Sequence, residues 1–117
     1  MTAKETLDAA RSVRPSIERR KAELYRVEDL TEYVGSTSML QDLYDALRWE
    51  IERLMRIQAA AIAIISRIQD EKIRSALWVY YIDGATSWDE AAKKLYISRP
   101  SFARLLRKAK KELEKCV

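Results

Sequence analysis

The sequence SWDEAAKKLYISRPSFARLLRKAKKEL, residues 87–113, encodes two helices separated by a short turn. Ser87 and Glu90 have the spacing of a capping box, in which each side chain bonds to the backbone of the other, so they predict the start of the first helix. Ser98 is the predicted N-cap of the second helix, and Pro100 in its first turn costs no hydrogen bond. Apolar residues at helical spacing line one side of each helix. The stretch therefore predicts a helix-turn-helix.

A third helix is predicted immediately upstream, over Glu71–Ile82. Asp70 is its expected N-cap, and Gly84 is its expected C-terminal stop. Residues 70–117 are thus expected to form a trihelical unit that contains the helix-turn-helix. The side chains expected to face inward from the third helix are Ile73, Leu77, Tyr80 and Tyr81.

The first part of the chain has the pattern of a long helical hairpin. An opening helix begins at Thr2 and is interrupted at Pro15, after which apolar residues recur at helical spacing as far as Val34. Gly35–Ser38 is the predicted loop, and Ser38 with Gln41 is a capping box for the next helix. That helix is long, and its apolar stripe is close to the heptad repeat of a coiled coil.

Together these patterns predict an all-α fold. A long N-terminal antiparallel helical hairpin over residues 1–69 serves as scaffold or oligomerisation element, and a trihelical helix-turn-helix domain occupies residues 70–117. The stretch 59–65 is apolar on nearly every side of its helix. It is therefore expected to bury more than one face, against the C-terminal domain or against a second subunit, which makes a homodimer through the hairpin a candidate assembly.

The composition argues against several classes of protein. The 117 residues include no His and one Cys, Cys116, so no disulfide framework, Cys/His metal site or His-activated nucleophile can form within one chain. No Gly-rich phosphate loop is present, and we expect neither a cofactor nor enzymatic activity. The longest apolar run is too short to cross a bilayer and no secretory signal is found, so a cytoplasmic protein without a membrane partner is expected.

The net charge of +4 is concentrated in the C-terminal part of the chain. Residues 1–71 have a net charge of −2, whereas residues 72–117 have a net charge of +6. The segment 99–111 contributes six cations and no acid. Such a density of positive charge attracts polyanions, although a solvated helix face would look the same.

A resemblance to a known family rests on residues 77–84 and 87–113. These stretches resemble region 4 of bacterial sigma-70 factors, which reads a promoter element. The whole chain is similar to small phage-encoded transcriptional regulators of the RinA and ArpU type, which control phage late genes. The resemblance implies double-stranded DNA as ligand, RNA polymerase as a candidate partner and the cytoplasm of a bacterial host as location.

The resemblance also implies a set of contact residues. Tyr96 occupies a turn position that is commonly Gly, and Pro100 with Ser101 replaces residues that are often charged, so the promoter preference does not transfer. Helix N-termini that attract phosphate add Thr86, Ser87 and Ser98 to the candidates. The candidate base-reading residues are Arg99, Pro100, Ser101, Ala103 and Arg104. The candidate phosphate contacts are Thr86, Ser87, Lys93, Lys94, Ser98, Arg107, Lys108 and Lys111.

Two other functions fit the same pattern. A phage DNA-packaging factor similar to a small terminase subunit also joins a helix-turn-helix to oligomerising helices, but it would form a ring. The second of these functions is that of an adaptor, which binds polymerase and has no affinity for DNA. The expected function remains a sequence-specific DNA-binding transcription regulator, which should bind a promoter duplex as a monomer or dimer.

Overall fold

The computed structural model describes residues 2–115, and this range is all-α. No strand occurs among these residues, so the predicted fold class is confirmed. Cys116 lies outside the described range. The helices are α1 (Ala3–Arg11), α2 (Val13–Val34), α3 (Ser38–Ser66), α4 (Glu71–Leu77), α5 (Trp88–Lys94) and α6 (Arg99–Lys115), and α4 continues as a π-helical turn over Trp78–Ile82.

The chain breaks between α1 and α2 at Ser12, three residues before Pro15. Thr2 caps α1 as predicted, because its hydroxyl accepts a hydrogen bond from the Glu5 N–H at 3.1 Å. Pro15 lies in the first turn of α2, where N–H groups have no partner within a helix. The predicted restart of the helix is therefore present, and Pro15 accounts for its position, because the proline has no N–H to donate to the Arg11 carbonyl and its ring would clash with that carbonyl.

α2 and α3 pack along each other and give the molecule an elongated shape, 55 Å by 30 Å by 17 Å. Val13 and Ile17 near the start of α2 form a buried cluster with Leu54 in the second half of α3. A three-residue loop joins the other ends of the two helices. The loop end of this pair is consequently far from the remaining helices.

The loop between α2 and α3 differs from the sequence prediction by one residue. Gly35 ends α2 with a φ of 81°, a conformation that glycine adopts without steric cost. Thr37, and not Ser38, is the N-cap of α3, since its side chain accepts a hydrogen bond from the Leu40 N–H at 3.2 Å. Both residues can cap a helix, and the one with extended backbone geometry does so here.

The largest core cluster joins α1 to the C-terminal helices. Leu7 and Ala10 of α1 are 0% and 1% exposed, and they share this cluster with Ile65 of α3, Tyr81 and Leu113. Burying one Leu side chain stabilises a fold by about 1.5–3 kcal/mol, so α1 contributes directly to the packing of the C-terminal unit. The core thus contains side chains from both predicted domains, and the division between residues 69 and 70 stays a prediction.

The apolar stretch 59–65 of α3, expected to bury more than one face, packs against the C-terminal helices on one side. Ala61 and Ile65 lie in the core cluster shared with the C-terminal helices. Ala59, Ala60 and Ala63 are exposed in the monomer. The C-terminal unit therefore covers one face, and the alanine face is left to solvent or to another molecule.

A second core cluster holds α4, α5 and α6 together. Phe102 of α6 is fully buried beside Ala91 and Ala92 of α5, whose small side chains let the two helices approach closely. Ala76 of α4 completes the contact from the third side. The predicted N-caps are present at all three helices, because Asp70, Ser87 and Ser98 each accept a hydrogen bond from an N–H three residues later.

Among the helices that the structure describes, none has the length and apolar character required to span a membrane.

Candidate nucleic-acid interface

The turn between α5 and α6 is built around Tyr96. Its φ is 58°, in the left-handed region, and its side chain is 96% exposed. The Tyr96 N–H donates to the Lys93 carbonyl at 3.1 Å, and the Ile97 N–H donates to the Ala92 carbonyl at 3.0 Å, which is the pattern of a Schellman motif. In the sigma region 4 pattern that the sequence resembles, this position is commonly Gly, and the left-handed backbone gives the reason.

At the start of α6 the predicted base-reading residues have different surroundings. Arg99 turns towards α5, where its Nε lies 3.7 Å from Oδ1 of Asp89. The Ser101 side chain is half-buried and receives a hydrogen bond from the Ser98 hydroxyl at 2.9 Å. Pro100 is exposed. Ser98 and Ser101 are thus hydrogen-bonded to each other at the start of the helix, and Arg99 forms an ion pair with Asp89.

Four cations form a stripe along the exposed face of α6, and we call it the cationic stripe. Its members are spaced three and four residues apart, so they share one side of the helix. All four are exposed, and no acid within residues 2–115 pairs with them. Ala103, a predicted base-reading residue, is half-buried beside the stripe, and Lys110 is exposed at its flank. The cationic stripe consists of Arg104, Arg107, Lys108 and Lys111.

An open groove of about 670 Å³ lies between α4 and α6. Arg104 and Lys108 of the cationic stripe line its α6 side, and Lys72 and Glu71 line its α4 side. Lys72 was not among the predicted site residues, because nothing in its spacing links it to α6. It adds a third cation to the groove, and Glu71 is the acid that faces this positive charge.

The start of α5 is stabilised within the chain. Both the hydroxyl and the N–H of Thr86 donate to the Glu90 carboxylate, and these bonds hold the pKa of Glu90 below its usual value. The Ser87 side chain accepts from the Glu90 N–H at 3.1 Å. Lys93 and Lys94 are exposed on the same helix, and Lys94 lies 3.6 Å from Glu90. Of the candidate phosphate contacts on α5, Lys93 has no acidic partner within the described residues.

Arg11 of α1 clamps the loop that precedes α5. Its Nη1 donates to the carbonyls of Tyr80 at 3.2 Å and Ala85 at 2.9 Å, and its guanidinium lies 3.9 Å from the centroid of the Tyr80 ring. Arg14 adds an ion pair with Asp83 at 2.9 Å. These contacts fix the position of α5 and α6 relative to the rest of the molecule, and no local sequence pattern could have predicted them.

Metal binding has no support in the described part of the chain. Within residues 2–115, no three side chains of His, Cys, Asp or Glu lie close enough together to hold a metal ion.

Comparison with known families adds one finding. A family model described as a protein of unknown function, DUF1492, matches residues 33–114. The chain belongs to the DUF1492 family. The match extends from the end of α2 to the end of α6 and includes the cationic stripe, whereas Arg11 and Arg14 lie before it. No curated protein and no solved structure shows significant similarity to the chain.

Proposed function

We propose that the chain binds double-stranded DNA in a sequence-specific manner through α6 and regulates transcription from the promoter that it reads. The observation that carries this proposal is the cationic stripe, whose four side chains are exposed and have no acidic partner within residues 2–115. A helix face of this kind provides the electrostatic attraction that holds a protein on the phosphate backbone.

The position of each cation suggests its role. Arg104 lies nearest the start of α6, and an arginine there can donate a bidentate pair of hydrogen bonds to O6 and N7 of guanine. Arg107, Lys108 and Lys111 lie further along the helix and are proposed to contact phosphates, which fixes the register of the helix on the duplex. Lys72, across the groove from Lys108, is proposed as an additional phosphate contact.

Arg99 is available to DNA in spite of its contact with Asp89. The two side chains are 62% and 64% exposed, and ion pairs as exposed as this contribute about 0–1 kcal/mol. If Arg99 left Asp89 to contact a phosphate or the edge of a guanine, the loss of this ion pair would therefore cost little free energy. Ser101 and Ala103 are both half-buried, so Ser101 is proposed to offer its hydroxyl to DNA and Ala103 to offer van der Waals contact only.

A role in transcription is supported by the resemblance of residues 77–113 to region 4 of sigma-70 factors. The similarity of the whole chain to phage late-gene regulators of the RinA and ArpU type supports the same role. RNA polymerase is then the protein partner to test first, and the exposed alanine face of α3 is the surface to test for a homodimer.

The experiment that tests the proposal is selection of bound sequences from a pool of random duplexes, followed by affinity measurements at about 50 mM and 200 mM salt. We expect one recurring motif, bound by a monomer or a dimer as judged by the mass in solution. Arg104→Ala should reduce the preference for that motif by about 5- to 150-fold, equivalent to about 1–3 kcal/mol. Arg56→Ala is the matched control, since Arg56 is an exposed arginine of α3 that is also unpaired within the described residues.

The alternatives predict different results in the same experiment. A ring-sized mass with no recurring motif would replace the proposal with a packaging factor. A chain with no affinity for any duplex would replace it with a polymerase-binding adaptor. Equal losses on the selected and random duplexes with Arg104→Ala would contradict the base-reading role of Arg104 and leave DNA binding in place.

A further inference from the structure

The loop end of the α2–α3 pair has an electrostatic character opposite to that of α6. We define the acidic tip as residues 27–47, which comprise the end of α2, the loop and the start of α3. This segment contains five acids and no Lys or Arg. The acids are Glu28, Asp29, Glu32, Asp42 and Asp45.

Large apolar side chains are exposed on the acidic tip. Tyr33 is 90% exposed and Met39 is 80% exposed. Monomeric proteins do expose single apolar residues, but a group of them within one short segment marks an interaction surface. The other members of the group are Leu30, Val34 and Leu43.

The acids of the tip have no cationic partner within residues 2–115, whereas most other acids on α2 and α3 do. Glu23, Glu50 and Glu52 each form an ion pair with a nearby arginine of their own helix. Glu28 and Glu32, by contrast, lie one turn apart on α2 and repel each other. The last turn of α2 also lacks a basic residue, although the negative end of the helix dipole lies there. No ion pair within the described residues compensates this charge.

A groove of about 210 Å³ opens between the end of α2 and the start of α3. Glu28 stands on one side of it, and Leu40 and Tyr44 stand on the other. A long basic side chain could lie with its methylene groups along Leu40 and Tyr44 and its charge at Glu28, because Lys and Arg combine an apolar stem with a cationic end.

We propose that the acidic tip is a docking surface for another protein whose contact segment is basic at its edge and apolar at its centre. The acidic charge disfavours nucleic acid and anionic lipid as the occupant. Symmetric pairing of two tips would bring five acids of each copy together. The cationic stripe of a second copy would supply charge, but α6 exposes no large apolar side chain within residues 99–115, so contact with Tyr33 or Met39 would depend on Tyr96 in the preceding turn.

The location of the tip gives the proposal a functional consequence. α3 has 29 residues, which is about 43 Å of helix, and the tip lies at its start while the C-terminal helices pack at its end. A partner on the tip would not block the cationic stripe. The chain would then hold DNA at one end and a protein at the other, and docking at the tip is expected whether or not α6 binds DNA.

A library of random 16-residue peptides displayed on phage is the probe that tests this surface. The full chain is immobilised, and peptides that also bind a Tyr33→Ser/Leu43→Ser double variant are removed. We expect the remaining peptides to be rich in Lys and Arg with apolar residues between them. Each should lose at least about tenfold in affinity on the double variant, as happens when the few central residues that dominate the binding energy of an interface are truncated.

Matched control variants distinguish a loss of binding at the acidic tip from a loss of folding. Tyr25→Ser removes an exposed tyrosine of α2 that lies outside the tip, and it should leave peptide affinity unchanged. Glu28→Gln with Glu32→Gln should weaken binding about three- to tenfold at low salt and less at high salt. Glu18→Gln removes an exposed acid elsewhere on α2 and should have no effect. Circular dichroism and thermal unfolding establish that each variant is folded.

Three results would overturn the proposal. The first is a selection that yields no peptide dependent on the tip. The second is a set of tip-dependent peptides without excess positive charge. The third is self-association of the chain that the Glu28→Gln/Glu32→Gln variant abolishes, because the occupant would then be a second copy.

Discussion

The guanidinium of Arg11 lies over the ring of Tyr80, 3.9 Å from its centroid, and also donates a hydrogen bond to the carbonyl of the same residue. The two residues are 69 positions apart. A further bond to the Ala85 carbonyl makes Arg11 the link between α1 and the loop in front of α5. The orientation of the candidate DNA-binding helices therefore depends on a residue that lies before the part of the chain matched by the family model.

Removal of this link should destabilise the fold. Arg11→Ala is expected to lower the free energy of unfolding by about 1–3 kcal/mol, because two part-buried carbonyls lose a donor and the ring loses its cation. Urea denaturation measures the change. Arg14→Ala breaks the ion pair with Asp83 at a more exposed site and should cost at most about 1 kcal/mol. Equal losses in the two variants would mean that Arg11 acts only as a surface charge.

The left-handed backbone at Tyr96 predicts a substitution that stabilises the protein. Tyr96→Gly should raise the free energy of unfolding by about 1 kcal/mol, because a side chain is strained at a φ of 58° and glycine is not. Thermal unfolding measures the gain. Tyr96→Ala keeps a Cβ atom and should give no comparable gain. If the alanine variant were as stable as the glycine variant, the cost would lie in the exposed aromatic ring and not in the backbone.

Features that depend on nearby residues could be predicted from the sequence. The caps at Asp70, Ser87 and Ser98 each join residues three positions apart, so a short pattern contains the whole interaction. The turn at Tyr96 was recognisable for the same reason. The all-α class also followed, because helical spacing of apolar residues extends over almost the whole chain.

Features that depend on the packing of distant helices could not be predicted. Arg99 and Arg104 look equivalent in the sequence, and Asp89 on α5 is what distinguishes them. Lys72 shares a groove with Lys108 because α4 packs beside α6. The apolar residues of α1 indicated that one side of this helix is buried. Nothing in their spacing indicated that they would pack in the core of the C-terminal helices.

Loss of a proposed phosphate contact should change the salt dependence of the proposed DNA binding. Lys108→Ala is expected to weaken binding to all duplexes to a similar degree and to reduce the slope of log affinity against log salt by about 0.9. Fluorescence anisotropy with one selected and one random duplex measures both effects. Lys4→Ala removes an exposed lysine of α1 and should leave the slope unchanged. A loss confined to the selected duplex would assign Lys108 to base reading.

The Thr86–Glu90 contact predicts a pH dependence of stability. Hydrogen bonds from Thr86 lower the pKa of Glu90 in the folded state, so the ionised form is favoured there. The resulting stability is present above the ordinary pKa of Glu, about 4.3, and is lost as the pH falls through the lower folded-state value. The melting temperature of Glu90→Gln should therefore fall less on acidification than that of the unaltered chain. The melting temperature of Thr86→Val should also depend less on pH than that of the unaltered chain, because Val keeps the N–H but loses the hydroxyl. If the melting temperatures of all three proteins fell equally on acidification, the contact would not be a source of stability.

The uncompensated charge on the acidic tip predicts a gain in stability that opposes docking. Glu32 lies in the last turn of α2, one turn after Glu28, so Glu32→Lys places a cation at the negative end of the helix dipole and replaces a repulsive pair with an attractive one. The free energy of unfolding should rise by about 0.5–1 kcal/mol at low salt and by less at high salt.

Glu18→Lys, in the second turn of the same helix, should instead leave the free energy of unfolding nearly unchanged, because the effect of the helix dipole falls off within the first and last turns. Thermal unfolding of both variants, together with their affinity for a tip-dependent peptide, distinguishes two explanations of the acids. A more stable Glu32→Lys chain that binds the peptide more weakly would mean that the tip gives up stability for the sake of a basic partner. A less stable one would mean that contacts within the chain hold Glu32 in place, and the charge would then be unavailable for docking.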